Sequence, residues 1–483
     1  MRRADDYTVT NQGITPIDLM EHAANAFVKV FRKKYTDKGS AIAILCGQGN
    51  NGGDGLAIAR LLHNDGYKKI SVYLIDFASK ESPDYINNLK RLTKTKIKPI
   101  VITSPEQFEC DSDFIIDAIL GSGLNKPFTG KYADLACKIN ESQNVVISVD
   151  VPTGFPSEGP IDKNYKGIKA DVVICFQRPK INFFFPESAL ALDRFVVVTI
   201  GLDENFIENE LSDWKLITKL VFRPRKIFTH KGSYGHALIV AGSTTTMGAA
   251  LLASLACLHA GAGLTTLCLP PAGLVALNTY LPEVMALPRD GQLTDEDFEK
   301  FNGIAIGPGL GLTQETEDLF EKLIESKKPM VVDADALSIL AKRKDLLDKL
   351  PTQTILTPHV REFDRLFGEH QTWWDRVETA RKHAKERNWI IVLKNQYTFV
   401  CLPNGEVHIN QTGNPAMASG GMGDVLTGMI AGFLAQAYSS ADAARLAVYV
   451  HGKAGDELAA KRFTVKASQV ARRIPKIIKK LVA

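Results

Sequence analysis

Short apolar runs without polar alternation recur along the first half of the chain, at Ala41–Cys46, Ile70–Ile75, Pro99–Ile102, Asp113–Ile116 and Val145–Val149. Helical patterns, such as Gly52–Asp65, fall between several of them. Strands that are apolar on both faces belong in a parallel sheet covered by helices on both sides. The pattern predicts a doubly wound α/β domain ending near Gly201, with an amphipathic helix over Asn11–Tyr35 packed outside it. From Leu202 to His230 the periodicity dissolves around Arg223-Pro224-Arg225, and a linker is expected there. A second alternation follows: His236–Ala241, Leu264–Leu269, Gly303–Ile306, Pro329–Val332, Thr354–Leu356 and Ile390–Leu393. Tyr397–Cys401 and Gly405–Ile409 flank Pro403-Asn404-Gly405 as a hairpin. Two long helical patterns, Gly421–Ala437 and Ala441–Leu458, close the chain. The division expected is 1–210 and 211–483.

Length agrees, since 483 residues exceed one ordinary core. A hydrophobic content of 45% with 23% charged residues fits a soluble globular protein. The net charge of +4 is spread along the chain, which argues against nucleic acid or an anionic membrane as partner. The run Arg472-Arg473, Lys476, Lys479-Lys480 reads as a solvated helix face. No apolar stretch approaches the ~20 residues that span a bilayer, and the opening Met1-Arg2-Arg3 lacks the apolar segment of a signal peptide. The seven cysteines include no CxxC pair, and Cys46, Cys175 and Cys268 sit in apolar runs. They read as buried thiols in a reducing cytoplasm, where the protein is expected to reside.

Candidate chemistry begins at Gly47-x-Gly49-x-x-Gly52, after a predicted strand and before a predicted helix. That context makes it a Rossmann-like phosphate turn, with Asp76 at the end of the next strand in the place of a ribose-binding acid. Alone the match is weak, and a ligand-free βα turn would serve equally. Asn50, Asn51 and Asp54 add more polar groups than a turn needs. Asp117 ends another strand and leads into Gly121-Ser122-Gly123-Leu124-Asn125-Lys126-Pro127. Ser148-Val149-Asp150-Val151-Pro152-Thr153-Gly154 follows a third. Asp150 stands where a carboxylate can act as general base, its alternative being a turn-capping role.

These three strings resemble the NAD(P)H-hydrate epimerase domain, the YjeF N-terminal family, over roughly residues 1–210. The resemblance implies that Asn50, Asn51, Gly52, Gly53 and Asp54, together with Gly121 to Pro127, hold a hydrated dinucleotide. It places Asp150 at the reacting carbon. It also implies a potassium ion held by Asn51, Asp117 and Thr153, where relatives often carry serine at the last position; hard cations favour such oxygen donors.

The second cluster, Gly420-Gly421-Met422-Gly423-Asp424, opens a long helix. Glycines at a helix N-terminus cradle an anion. A carboxylate there repels phosphate, so Asp424 reads as the base for the attacking group, with a simple N-cap as the alternative. The cluster is similar to the GxGD anion hole of ribokinase-like folds. With His230–His236, Ala241–Ser243, Gly248–Ala250, Gly261–Gly263, Ile306–Gly311, Asp333–Asp335 and Leu356–His359, it resembles the ADP/ATP-dependent NAD(P)H-hydrate dehydratases. Carried over, Ala249, Gly309, His359 and Asp424 line the hydrate site, and Lys394, Asn395, Gln396, Tyr397, Thr398 and Gly423 hold an adenine nucleotide. This chain departs from that pattern at Val360-Arg361, where relatives read Pro-Gly. It departs again at Asn395, where relatives have glycine; asparagine tolerates the left-handed backbone.

The resulting expectation is an α/β protein with a Rossmann-like N-terminal sheet and a ribokinase-like C-terminal domain. It would epimerise the R and S hydrates NADHX and NADPHX and dehydrate the S form, using ADP, or alternatively ATP, with Mg²⁺ and K⁺. Beyond those small molecules, the partners expected are further copies of the chain. Two other readings remain open. One is a ribokinase-like small-molecule kinase; the other makes the N-terminal half a non-catalytic dinucleotide-binding module.

Overall fold

The computed structural model describes residues 1–123, 128–218, 220–289 and 295–482. The chain divides into two compact units: Met1–Leu211 with Thr372–Trp374, and Ser212–Gln371 with Asp375–Ala483.

In the first unit, strands β1 (Ala41–Cys46), β2 (Lys69–Ile75), β3 (Ile100–Ile102), β4 (Phe114–Ala118), β5 (Val145–Val149), β6 (Val172–Phe176) and β7 (Phe195–Val198) form one sheet. Its order is β3-β2-β1-β4-β5-β6-β7, and every pairing is parallel. The chain runs outward from β1 to β3 and then restarts on the other side of β1 at β4. That reversal leaves a crevice at the C-terminal ends of β1 and β4. Ile42, Ile44, Ile116 and Ile147 are fully buried, as a two-faced parallel sheet requires. The helix Asn50–Asn64 starts directly after β1.

The expected helix over Asn11–Tyr35 is two helices instead, Arg2–Gln12 and Pro16–Lys34. Gly13 turns left-handed at φ 66° and stops the first. Thr15 caps the second, with Pro16 in its first turn and Asp18 completing a capping box. Of β6 only the apolar stretch around Cys175 was anticipated, and β7 was not.

In the second unit a ten-stranded sheet comprises β8 (Trp214–Leu216), β9 (His236–Val240), β10 (Leu264–Leu269), β11 (Met285–Pro288), β12 (Gly303–Ile306), β13 (Met330–Val332), β14 (Ile355–Leu356), β15 (Ile390–Leu393), β16 (Thr398–Cys401) and β17 (Val407–Asn410). The order is β11-β10-β9-β12-β13-β14-β15-β16-β17-β8. Pairings are parallel from β11 to β15 and antiparallel through the β16–β17 hairpin. β8 lies inside the stretch expected to be a linker. It is ordered because it adds in parallel to β17, pairing Trp214 with Val407, a partnership no local pattern reveals. The helices Met247–Ala260 and Met422–Ala435 pack against each other. Their approach is close enough that a Cβ on Gly428 would stand 2.0 Å from the Ala253 carbonyl oxygen.

Candidate functional site

Loops at the C-terminal ends of β1, β4, β5 and β6 in the first unit border a cavity of about 700 Å³. Asn50, Asn51 and Asp54 reach it from the start of the helix after β1; Gly121, Ser122 and Gly123 reach it from the loop after β4, and Asp150 from the end of β5. Gly52 and Gly53 do not line it. They are buried, and a Cβ at Gly52 would stand 1.6 Å from the Gly47 carbonyl oxygen, so glycine there permits the turn itself. Leu124, Asn125, Lys126 and Pro127 fall outside the described residues. Asp76 is absent from the cavity lining; its carboxylate accepts a hydrogen bond from Gln48 Nε2 at 2.8 Å and serves the turn.

Asp150 takes a left-handed backbone, φ 65°. Its Oδ1 accepts hydrogen bonds from Lys180 Nζ at 2.7 Å and from the Phe176 amide at 3.1 Å. Burial opposes the charge on Lys180, but Asp150 and Cys175 outweigh it and leave the ammonium held above its usual range. Lys180 follows β6, and sequence reasoning did not single it out. The apolar run Val172–Phe176 was the available signal. Asp54 is pushed well above the usual carboxylate range by burial, reinforced by Asp150, Asp84 and Asp5. Asp5 is raised in the same way, first by burial. Arg2 and Asp5 come from the first helix, which no motif marked as part of the site.

Asp117 lies beneath this floor, fully buried. It accepts hydrogen bonds from Thr153 Oγ1 at 2.6 Å, the Thr153 amide at 2.9 Å and Ser148 Oγ at 2.7 Å. Burial nonetheless raises its pKa. Asn51 stands at Gly121, whose added Cβ would lie 3.3 Å from the Asn51 Cβ, and Asn51 Nδ2 is buried without a partner. The Asp117 carboxylate and the Thr153 hydroxyl are oxygen donors of the type a hard cation favours, while the orphaned atom of Asn51 is a hydrogen-bond donor.

In the second unit the predicted residues gather at the C-terminal ends of β9, β12, β13, β14 and β15, five neighbours in the sheet. Thr246 ties two of them together: its Oγ1 donates to the Gly309 carbonyl at 2.6 Å, and its carbonyl accepts from the Ala249 amide at 3.1 Å. His359 caps the helix Val360–Phe367, its Nδ1 accepting from the Arg361 and Glu362 amides, with the side chain 51% exposed. The Val360-Arg361 departure therefore leaves the cap intact.

Gly421 takes φ 90° and opens the helix Met422–Ala435. Lys394, after β15, pairs with Asp333, after β13, at 2.8 Å, and Thr427 Oγ1 donates to the same carboxylate at 2.7 Å. A Cβ on Gly423 would lie 3.5 Å from Lys394 Nζ and 3.6 Å from Asp333 Oδ2, so glycine keeps this spot open. Asp424 has its pKa raised to about 6, by burial first and then by Asp333, with Lys394 opposing and Asp335 adding to it. Asp333 was visible in a motif but not singled out; its role emerges from the fold. Beside this cluster, Lys394, Asn395, Gln396, Thr398 and Gly423 line a cavity of about 260 Å³. Tyr397 does not line it. Asn395 is not left-handed, so it does not replace glycine in the way expected.

Comparison with known proteins follows the same division. A family model described as the YjeF-related protein N-terminus matches residues 16–182, and one described as NAD(P)H-hydrate dehydratase matches residues 237–476. The bifunctional NAD(P)H-hydrate repair enzyme of Moorella thermoacetica is 34% identical, over 96% of this chain and 92% of its own length. The chain belongs to the bifunctional NAD(P)H-hydrate repair enzyme family. The repair enzyme of Escherichia coli K12 is 31% identical over 95% of this chain and 89% of its own. A solved ribokinase-like superfamily protein of Enterococcus faecalis V583 is 28% identical, with a TM-score of 0.50, covering 56% of this chain and 98% of that one. The repair-enzyme fold is thus a doubly wound domain joined to a ribokinase-like one. Among the described residues no helix is long and apolar enough to cross a membrane.

Proposed function

We propose that residues 1–210 interconvert the R and S hydrates of NADH and NADPH, and that residues 211–483 return the S hydrate to NAD(P)H at the expense of ADP. Family membership supports the pair of activities. The observation that carries the division of labour is the meeting of Lys394, Asp333 and Asp424 at the glycine-rich start of the helix Met422–Ala435.

At the first site, epimerisation needs the C6 hydroxyl to leave as water and return on the other face, assisted by the ring nitrogen. The Lys180–Asp150 pair, 2.7 Å apart at the cavity floor, offers a group that protonates the departing oxygen and one that receives the proton of the returning water. Asn50, Asn51, Asp54 and Gly121 to Pro127 would hold the dinucleotide. Asn51, Asp117 and Thr153 would hold potassium, whose charge would neutralise the buried Asp117.

At the second site, hydroxide is a poor leaving group, so the C6 hydroxyl is first phosphorylated. Asp424 takes the hydroxyl proton as the oxygen attacks the terminal phosphorus of ADP and AMP departs. Inorganic phosphate then leaves from C6 as C5 loses its proton, restoring the ring. Its pKa of about 6 leaves Asp424 mostly ionised near neutrality while remaining a useful base. Lys394 and the amides around Gly423 oppose the charge on the transferring phosphoryl. Ala249, Gly309 and His359 would border the hydrate. Mg²⁺ would arrive on the nucleotide's phosphates, whose oxygens are the hard donors it prefers.

The test is recovery of reduced-nicotinamide absorbance from an R/S NADHX mixture. Full recovery with ADP·Mg²⁺ is expected. Recovery that stops at the S fraction would remove the epimerase assignment. A stable phosphorylated product, or no recovery with either ADP or ATP, would favour a small-molecule kinase.

A further inference from the structure

Thr427 follows Asp424 by three residues on the helix Met422–Ala435, which puts both on one face a turn apart, and it is fully buried. A threonine hydroxyl inside a helix ordinarily donates to the carbonyl four residues back, here that of Gly423. Thr427 instead crosses to another element, its Oγ1 donating to Asp333 Oδ2 at 2.7 Å. Lys394 Nζ takes the other oxygen, Oδ1, at 2.8 Å. Burial opposes the charge on Asp333, but Lys394 and then Thr427 outweigh it and hold the carboxylate below its usual range. An ionised carboxylate has no proton to give, so the hydroxyl is the donor.

Asp333 is turned away from the role its position offers. It stands at the N-cap of the helix Ala334–Lys342, where an aspartate ordinarily accepts from the amides of its own helix, and it makes no such bond. The next residue, Ala334, takes φ 48°, a left-handed backbone that strains an alanine. A helix cap is forgone and strain accepted at the residue whose carboxylate meets Lys394 and Thr427, and strain of this kind gathers at functional sites. With both oxygens occupied, the carboxylate is held against rotation. The ammonium it carries then stays beside Gly423, where an added Cβ would lie 3.5 Å from Lys394 Nζ.

We propose that Thr427 is a positioning residue of the dehydratase site: through Asp333 it fixes Lys394 where the transferring phosphoryl group gathers negative charge. The inference rests on the reading of this cluster as the phosphoryl-transfer site. Fully buried, Thr427 reaches the reactants only through Asp333 and Lys394. Its contribution is to the geometry in which Lys394 acts, and it belongs to kcat.

Steady-state dehydration of pure S-NADHX with ADP·Mg²⁺ by the full chain tests this. Thr427→Val, nearly the same shape without the hydroxyl, should lower kcat about tenfold with KM for S-NADHX unchanged. Thr427→Ala, which avoids crowding, should show the same loss, and Thr427→Ser, which keeps the donor, should recover most of it. In an Asp333→Asn background Thr427→Val should add little, because the hydroxyl acts through that carboxylate. A merely structural hydroxyl would lower Tm and leave kcat intact below it, which overturns the inference. Equal losses in Thr427→Val and Thr427→Ser overturn it in favour of packing, and a rise in KM at constant kcat overturns it in favour of binding. Full additivity with Asp333→Asn overturns the route through Asp333. An active wild type beside an equally active Thr427→Val removes this inference alone, whereas a wild type that neither binds ADP in calorimetry nor forms NADH removes the phosphoryl-transfer reading as well.

Discussion

Asp150 and Asp424 each stand at the C-terminal edge of a largely parallel sheet among other carboxylates, but they differ in how closely a lysine is held. Asp150 meets a cation, Lys180, at 2.7 Å. Asp424 has two further carboxylates, Asp333 and Asp335, raising its pKa, and the nearby Lys394 is held by Asp333 at 2.8 Å. The first arrangement suits a proton that shuttles between partners and ends where it began. The second suits a base that takes the hydroxyl proton while a phosphoryl group moves and releases it to solvent before the next turnover. On the proposed reading, one residue type would serve two kinds of proton chemistry, according to which charges the fold brings beside it.

The severest test of that contrast is Asp424→Asn. It should cost roughly 10³-fold in dehydration, read as absorbance recovery from pure S-NADHX, and leave the R/S exchange rate untouched. Loss of both activities together would break the comparison. Asp150→Asn should slow R/S exchange by about 10²-fold, followed chromatographically, while S-NADHX is still consumed at the wild-type rate.

Thr153→Val probes the layer beneath Asp150. Removing a hydroxyl that donates to the buried Asp117 at 2.6 Å should destabilise the first unit by about 1–3 kcal/mol in thermal or denaturant unfolding. It should also abolish any stimulation of epimerisation by K⁺ over Na⁺. The gentlest effect is electrostatic. The dehydratase rate should rise with pH through about 6 as Asp424 loses its proton. Asp333→Asn removes a like charge that raises this pKa and frees Lys394, which lowers it, so the acid limb should move to lower pH. A limb that moves upward would contradict the company assigned to Asp424.

Both glycine clusters, with Asp150 and Asp424, were legible along the chain because each is local: a short apolar strand, a tight turn and a helix start within a dozen or so residues. The strands β1, β5, β10, β12 and β15 were likewise readable from contiguous apolar runs that keep both faces buried. The helix starts at Asn50 and Met422 follow from the glycines ahead of them. What could not be read were relations across sequence distance. Lys180 meets Asp150 because β6 pairs beside β5. Lys394 meets Asp333 across the loops that follow β15 and β13. β8 exists only because β17 accepts it, and His451 reaches the cavity beside Lys394 from a helix whose pattern shows only its packed face. Hydrophobic periodicity reports burial along one element, and glycine and proline report local backbone freedom. Which charges become neighbours, and hence which carboxylate is paired and which is made a base, depends on strand order and helix docking, which bring distant residues within a few ångströms of one another.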